Sequence, residues 1–191
     1  MPTAMPDTSP PRQVNPPERC EECGWQAANV TTDNAEPTVR DLGRRYRAPL
    51  TRLLPTDPDD LLRRRPDATT WSALEYAAHV RDVIALWGGA LHKVLTEDRP
   101  VVPSPDPSIA DEAAAAADYN ALDPTVTADE LAANADRMAR KVASIGADEW
   151  ERVIVVGDEE MTALGVVRKV AHEGAHHLLD IGRSLRAARS V

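Results

Sequence analysis

The sequence predicts an all-α protein, an antiparallel four-helix bundle preceded by a proline-rich tail and a cysteine knuckle. Three observations carry that prediction. Apolar residues recur at three-to-four spacing over four long segments. Capping boxes of the form Ser/Thr-x-x-Glu stand before two of them. No pair of segments alternates convincingly enough to suggest a sheet. A chain of 191 residues, 42% hydrophobic, suits one globular domain of this kind plus a tail.

Taken in order, residues 1–19 are rich in proline and poor in apolar side chains, so they cannot bury a core and are expected to be disordered. Residues 20–36 form the knuckle segment around Cys20-Glu21-Glu22-Cys23-Gly24, with Trp25 beyond it as a docking anchor. Residues 37–191 are expected to form the bundle. Its first helix carries Val39, Leu42, Tyr46, Leu50, Leu53 and Leu54, and Pro49 should kink or end it. The second opens on Ser72-x-x-Glu75, with Trp71 as a hydrophobic staple. Its stripe is Tyr76, Val80, Val83, Ile84, Trp87, Leu91 and Val94, and it should run to about Glu97.

A proline-rich connection leads to a short alanine-rich helix near Ile109–Tyr119. Thr127-x-x-Glu130 opens the third long helix, which reaches about Ile145 and stops at Gly146. Residues 150–156 form a short β-like apolar run that could be strand or helix. Thr162 starts the last long helix, which extends to about Arg186.

Charge and cysteine usage narrow the function. Lys and Arg total 22 against 31 Asp and Glu, a formal charge of −9, which repels nucleic acid and anionic membrane alike. No apolar run is long enough to span a bilayer, and the N-terminus shows no leader pattern, so a cytoplasmic protein is expected. The only two cysteines, Cys20 and Cys23, form C-x-x-C, which reads as a metal knuckle or redox pair rather than a disulfide.

Candidate chemistry concentrates in Ala171-His172-Glu173-Gly174-Ala175-His176-His177-Leu178-Leu179-Asp180. At about 100° per residue, Ala163, Val167, Val170, Gly174, Leu178, Ile181 and Leu185 share one side of the last helix. His177 lies inside that stripe and Glu173 at its edge. His79 sits at the edge of the second helix's stripe. His79, Glu173 and His177 therefore face inward together, two imidazoles and a carboxylate suited to a divalent metal, zinc foremost, with positions left for water or substrate. Glu75, Asp82 and Asp180 are the carboxylates one turn away that could support those ligands.

His172 and His176 fall on the opposite side, among Lys169 and Arg183. C-x2-C with H-x3-H is the spacing of a tetrahedral Cys2His2 zinc site. Cys20, Cys23, His172 and His176 are thus expected as a structural zinc site that folds the knuckle back onto the last helix. A dithiol without metal, or zinc held between two chains, are the other readings. His92 reads as a surface residue.

At these residues the chain resembles the DinB-like superfamily of metal-binding four-helix bundles. Trp71-Ser-Ala-Leu-Glu-Tyr-Ala-Ala-His79-Val80 is similar to the family's second helix with its ligand histidine. Glu173-Gly-Ala-His-His177-Leu-Leu-Asp180 is similar to its C-terminal E/H-x-x-x-H segment, and its Glu-x-x-x-His-x-x-Asp spacing to the mycothiol-dependent branch. A second register would match H-x-x-x-H to His172 and His176. The resemblance implies a metal-dependent thiol S-transferase or isomerase, with mycothiol as co-substrate and a small electrophile as partner. The alternative is a non-catalytic, zinc-stabilised and redox-responsive binding module. A bundle with one exposed apolar stripe also leaves a homodimer open.

Overall fold

A computed structural model describes residues 14–105 and 110–190. Its frame is four long helices: α1 (Ala35–Thr51), α2 (Ala73–Thr96), α4 (Pro124–Ala143) and α5 (Ala163–Ala188), with a short α3 (Ala110–Ala116) in the connection. Around the bundle the helices follow the order α1, α4, α2, α5, so α1 packs on α4 and α5, and α2 packs on the same two.

Side-chain registers give the directions. Arg40 meets Asp136 and Arg47 meets Asp129, so α1 and α4 are antiparallel. His79 meets Glu173 while Trp71 meets Ser184, so α2 and α5 are antiparallel too. Arg81 meets Glu130 and Lys141 meets Gly88, so α2 and α4 run the same way. The segment between them therefore travels back along the bundle, and α3 lies on that return.

The helix starts follow local chemistry. The Ser72 hydroxyl accepts from Glu75 N–H while the Glu75 carboxylate accepts from Ser72 N–H, a reciprocal capping box. Trp71 packs against Tyr76 at a tilt, ring centroids 5.5 Å apart, as the staple. Thr162 accepts from Gly165 N–H to start α5. The Thr127 box, by contrast, does not open α4. That helix begins at Pro124, with the Asp123 carboxylate accepting from Thr125 and Val126 N–H, and Thr127 lies within its first turns. Proline at the first helical position after an aspartate cap is the stronger signal.

The expected absence of a sheet is also corrected. Val153–Val156 (β2) pairs antiparallel with Glu159–Thr162 (β3) and parallel with Val101–Val102 (β1). Gly157, at φ +61°, makes the tight β2–β3 turn. Ile154, Val156 and Met161 are buried, so this small sheet caps the bundle core rather than standing apart from it. Pro49 lies inside α1, which continues two residues past it to Thr51.

The first thirteen residues of the expected tail, and Ile109, lie outside the described residues. The rest of that tail is held in place. Val14 N–H donates to the Glu159 carboxylate at 3.0 Å, and the Asn15 side-chain amide donates to Glu160 C=O at 2.9 Å. Among the described residues no helix is long and apolar enough to cross a membrane.

Candidate metal centre

The inner cluster is built by α2 and α5 crossing antiparallel. His79, Glu173 and His177 bring one ligand atom each to within 4.8 Å of one another. The Glu173 carboxylate is 3.4 Å from His177 Nε2 and 4.0 Å from His79 Nε2. Donors about 2.1 Å from one ion can lie no more than about 4.2 Å apart, so these separations fit a shared cation. The two imidazoles meet edge to face at 4.9 Å.

Asp180 supports this centre: its carboxylate accepts from His177 Nδ1–H at 3.0 Å. That bond fixes the ring and leaves Nε2 turned toward Glu173. The other two expected supports do not reach. Glu75 is consumed by the capping box and by a bidentate bond from Arg65. Asp82 accepts from Tyr119 O–H and from Arg81.

Lys169 belongs to this site, not to the opposite face where helical phase put it. Its ammonium is 3.1 Å from Glu173, one turn along α5. An i,i+4 lysine before a candidate ligand was the signal that could have found it. Tyr76 was assigned to the apolar stripe, yet its ring also stacks on His177 at 5.5 Å.

Charge is balanced tightly here. Burial opposes ionisation of Glu173, but hydrogen bonds from His177 and His79 and the charge of Lys169 overcome it and hold the carboxyl far below the usual range. Burial likewise opposes charging of His177. Hydrogen bonds to Asp180 and Glu173 outweigh it and raise that imidazole to about 9. The cluster lines a cavity of about 720 Å³. Trp71, Tyr76, Val83, Leu86 and Trp87 give it largely apolar walls, the usual make-up of a small-molecule site.

The outer four residues also come together. Cys20, Cys23, His172 and His176 place their ligand atoms within 4.8 Å of one another, with Cys20 Sγ 3.5 Å from His176 Nδ1. The knuckle is shaped by backbone bonds from Cys20 N–H to Trp25 C=O and from Gly24 N–H to Cys20 C=O, with Gly24 at φ +73°. Trp25 docks on the His172 ring, centroids 5.1 Å apart. These two histidines point away from the bundle core, but the knuckle covers them. His172 has both ring nitrogens buried without a hydrogen-bond partner among the described residues. The Cys23 backbone N–H lowers the Cys20 thiol to about 6 against the effect of burial, helped by His172 and His176. Burial and the neighbouring sulfur raise Cys23. His92 is exposed, as expected.

Fold and site together define a helical bundle whose polar centre, two histidines and a glutamate, opens on an apolar cavity. The chain belongs to the DinB superfamily, whose family profile matches residues 40–181. Among solved structures it is similar to YfiT from Bacillus subtilis, described as a probable metal-dependent hydrolase with an unusual four-helix bundle topology. That likeness has a TM-score of 0.69 at 15% identity and covers 91% of this chain and 93% of the other, so it speaks for the fold. No curated protein sequence matches the chain.

Proposed function

We propose that this protein is a metal-dependent enzyme acting on small molecules, with a divalent ion, zinc foremost, held by His79, Glu173 and His177. One observation carries the reading: the three donors converge on the lining of a largely apolar cavity large enough for a substrate. Such an ion, when bound, lowers the pKa of a thiol or water beside it and so supplies a nucleophile near neutral pH. The chain's own residues set the stage for that chemistry. Asp180 orients His177, Lys169 stands beside Glu173 and favours its ionised form, and Trp71, Tyr76 and Trp87 line the cavity with apolar surface for an apolar electrophile.

The nucleophile in this reading is a low-molecular-weight thiol of the mycothiol type, and the reaction is S-transfer or thiol-assisted isomerisation. Support comes from Glu173, His177 and Asp180, which keep the Glu-x-x-x-His-x-x-Asp spacing of the mycothiol-dependent branch. That thiol places the enzyme in the cytoplasm. Hydrolysis, with water as nucleophile, is the second reading, favoured by the description of YfiT. The outer Cys/His cluster favours a third, a zinc-stabilised and redox-responsive module with no catalysis.

The experiment is turnover by zinc-loaded protein of activated esters and of haloaromatic or unsaturated electrophiles, with and without mycothiol. Thiol-dependent consumption that is lost in His79→Ala supports the transferase reading. Thiol-independent ester cleavage lost in the same variant moves the assignment to hydrolase. Activity unaltered by His79→Ala, or no turnover in any arm, defeats the enzyme reading.

A further inference from the structure

We propose that Cys20, Cys23, His172 and His176 hold a second zinc ion, and that this ion is wired to the inner centre through Asp180. Four soft-to-borderline donors in one shell match the thiolate and imidazole set that zinc prefers. Proximity alone would be weak evidence, because cysteines and histidines meet by chance. The decisive observation is His172. A buried imidazole with neither nitrogen satisfied among the described residues is costly, and it is aimed at two sulfurs. Coordination removes that cost for one nitrogen.

The knuckle is also preformed. Gly24 adopts a left-handed conformation that closes the Cys20–Cys23 turn, and an isolated bridge between Arg19 and Gln26 holds its base. The ion would close a loop that spans most of the chain, which is where a metal clip gains most. It is unlike the inner centre, since all four positions are supplied by protein and none is left for substrate.

The link to the inner centre is geometric. His176 Nδ1 faces Cys20, while His176 Nε2 faces Glu22 at 3.5 Å and Asp180 at 3.7 Å. The same Asp180 oxygen accepts from His177 Nδ1–H at 3.0 Å. One carboxylate therefore stands behind a ligand of each site, on consecutive residues of α5. Zinc on His176 would hold its Nε2 edge facing Asp180, the carboxylate that bonds and orients His177. This coupling, unlike the outer site itself, rests on the inner centre proposed above.

The test counts metal. Protein freed of metal by a chelator under reducing conditions is titrated with cobalt(II) and with zinc, in wild type, Cys20→Ser, His172→Phe and His79→Ala. Wild type should take up about two ions per chain, and cobalt should give the thiolate-to-metal charge-transfer band of a cysteine-ligated tetrahedral site. Cys20→Ser and His172→Phe should lose that band and about one ion, whereas His79→Ala should keep the band and lose the other. Far-ultraviolet circular dichroism checks that the bundle persists. An unchanged band and stoichiometry in Cys20→Ser and His172→Phe overturns the outer site. Unchanged stoichiometry in His79→Ala overturns only the inner one. For the coupling, Cys20→Ser should weaken zinc binding at the inner centre by about tenfold, and should have no such effect in an Asp180→Asn background. Equal weakening in both backgrounds, or none in either, overturns the link.

Discussion

At the scale of single residues, hydrogen-bond accounting separates the groups that hold the fold from those that await a ligand. Tyr46 is fully buried, and its hydroxyl donates to Gly174 C=O at 2.9 Å, tying α1 to the turn of α5 that carries the candidate ligands. Tyr46→Phe should therefore cost about 1 kcal/mol of stability, read from denaturant midpoints, with metal stoichiometry unchanged. His172 is the opposite case. Among the described residues neither of its buried ring nitrogens has a hydrogen-bond partner, which leaves it open to a ligand. In chelated protein, His172→Phe should leave the melting temperature equal to wild type or raise it, because an unsatisfied buried polar group is removed. With zinc present the same variant should melt lower than wild type. A variant that melts lower under both conditions would assign His172 to ordinary packing.

At the scale of elements, the bundle depends on two helices approaching almost backbone to backbone. A Cβ on Gly43 would lie 2.9 Å from both Cα and Cβ of Ala132 across the α1–α4 contact. Backbone cannot yield as a flexible side chain can, so Gly43→Ala should destabilise by about 1–2 kcal/mol even after its better helix propensity is counted. A thermal melt that rises instead would show that the α1–α4 contact relaxes freely. Helices as strongly periodic as α2 and α5 were legible in the sequence, as was the inward facing of His79, Glu173 and His177. In each case one face of a 3.6-residue period settles what lies inside. The small sheet was not legible. β3 reads Glu159-Glu160-Met161-Thr162, with one buried apolar side chain, and β1 has two residues, so neither carries a pattern of its own. Their pairing is decided by tertiary position. Lys169 was missed because helical phase groups it with His172 and His176, although i,i+4 spacing also sets it beside Glu173. The knuckle's place on α5 followed from ligand spacing; the sharing of Asp180 did not, since only packing brings His176 and His177 to one carboxylate.

At the scale of the whole molecule, α5 is the shared wall, with a cavity on one side and the knuckle on the other. Chelation should therefore loosen the molecule unevenly. Amide hydrogen exchange should accelerate over residues 19–26, the knuckle that the outer cluster clips to α5, and stay slow where α2 packs on α4. Uniform acceleration would instead mean that metal holds the bundle itself. Acid should act at a different place, the end of the bundle where α5 finishes. There Arg189 donates through Nε and Nη2 to the Asp57 carboxylate at 2.8 and 2.9 Å, closing the α1–α2 connection onto the C-terminus. The Asp57 side chain is only 5% exposed, and it also accepts from Leu54 N–H. The Arg189 bonds, with that backbone bond, lower the Asp57 carboxyl to about 2 in the folded chain. An unfolded aspartate titrates near about 3.9. The folded value is the lower one, so the pair's contribution is fully present above about pH 4 and disappears as pH falls toward about 2. Wild type should melt above Asp57→Asn at neutral pH, with the difference closing across that window. A difference that persists undiminished at the acid end would mean that Asp57 acts through its backbone turn rather than its charge, and that the ion pair does not close this end of the bundle.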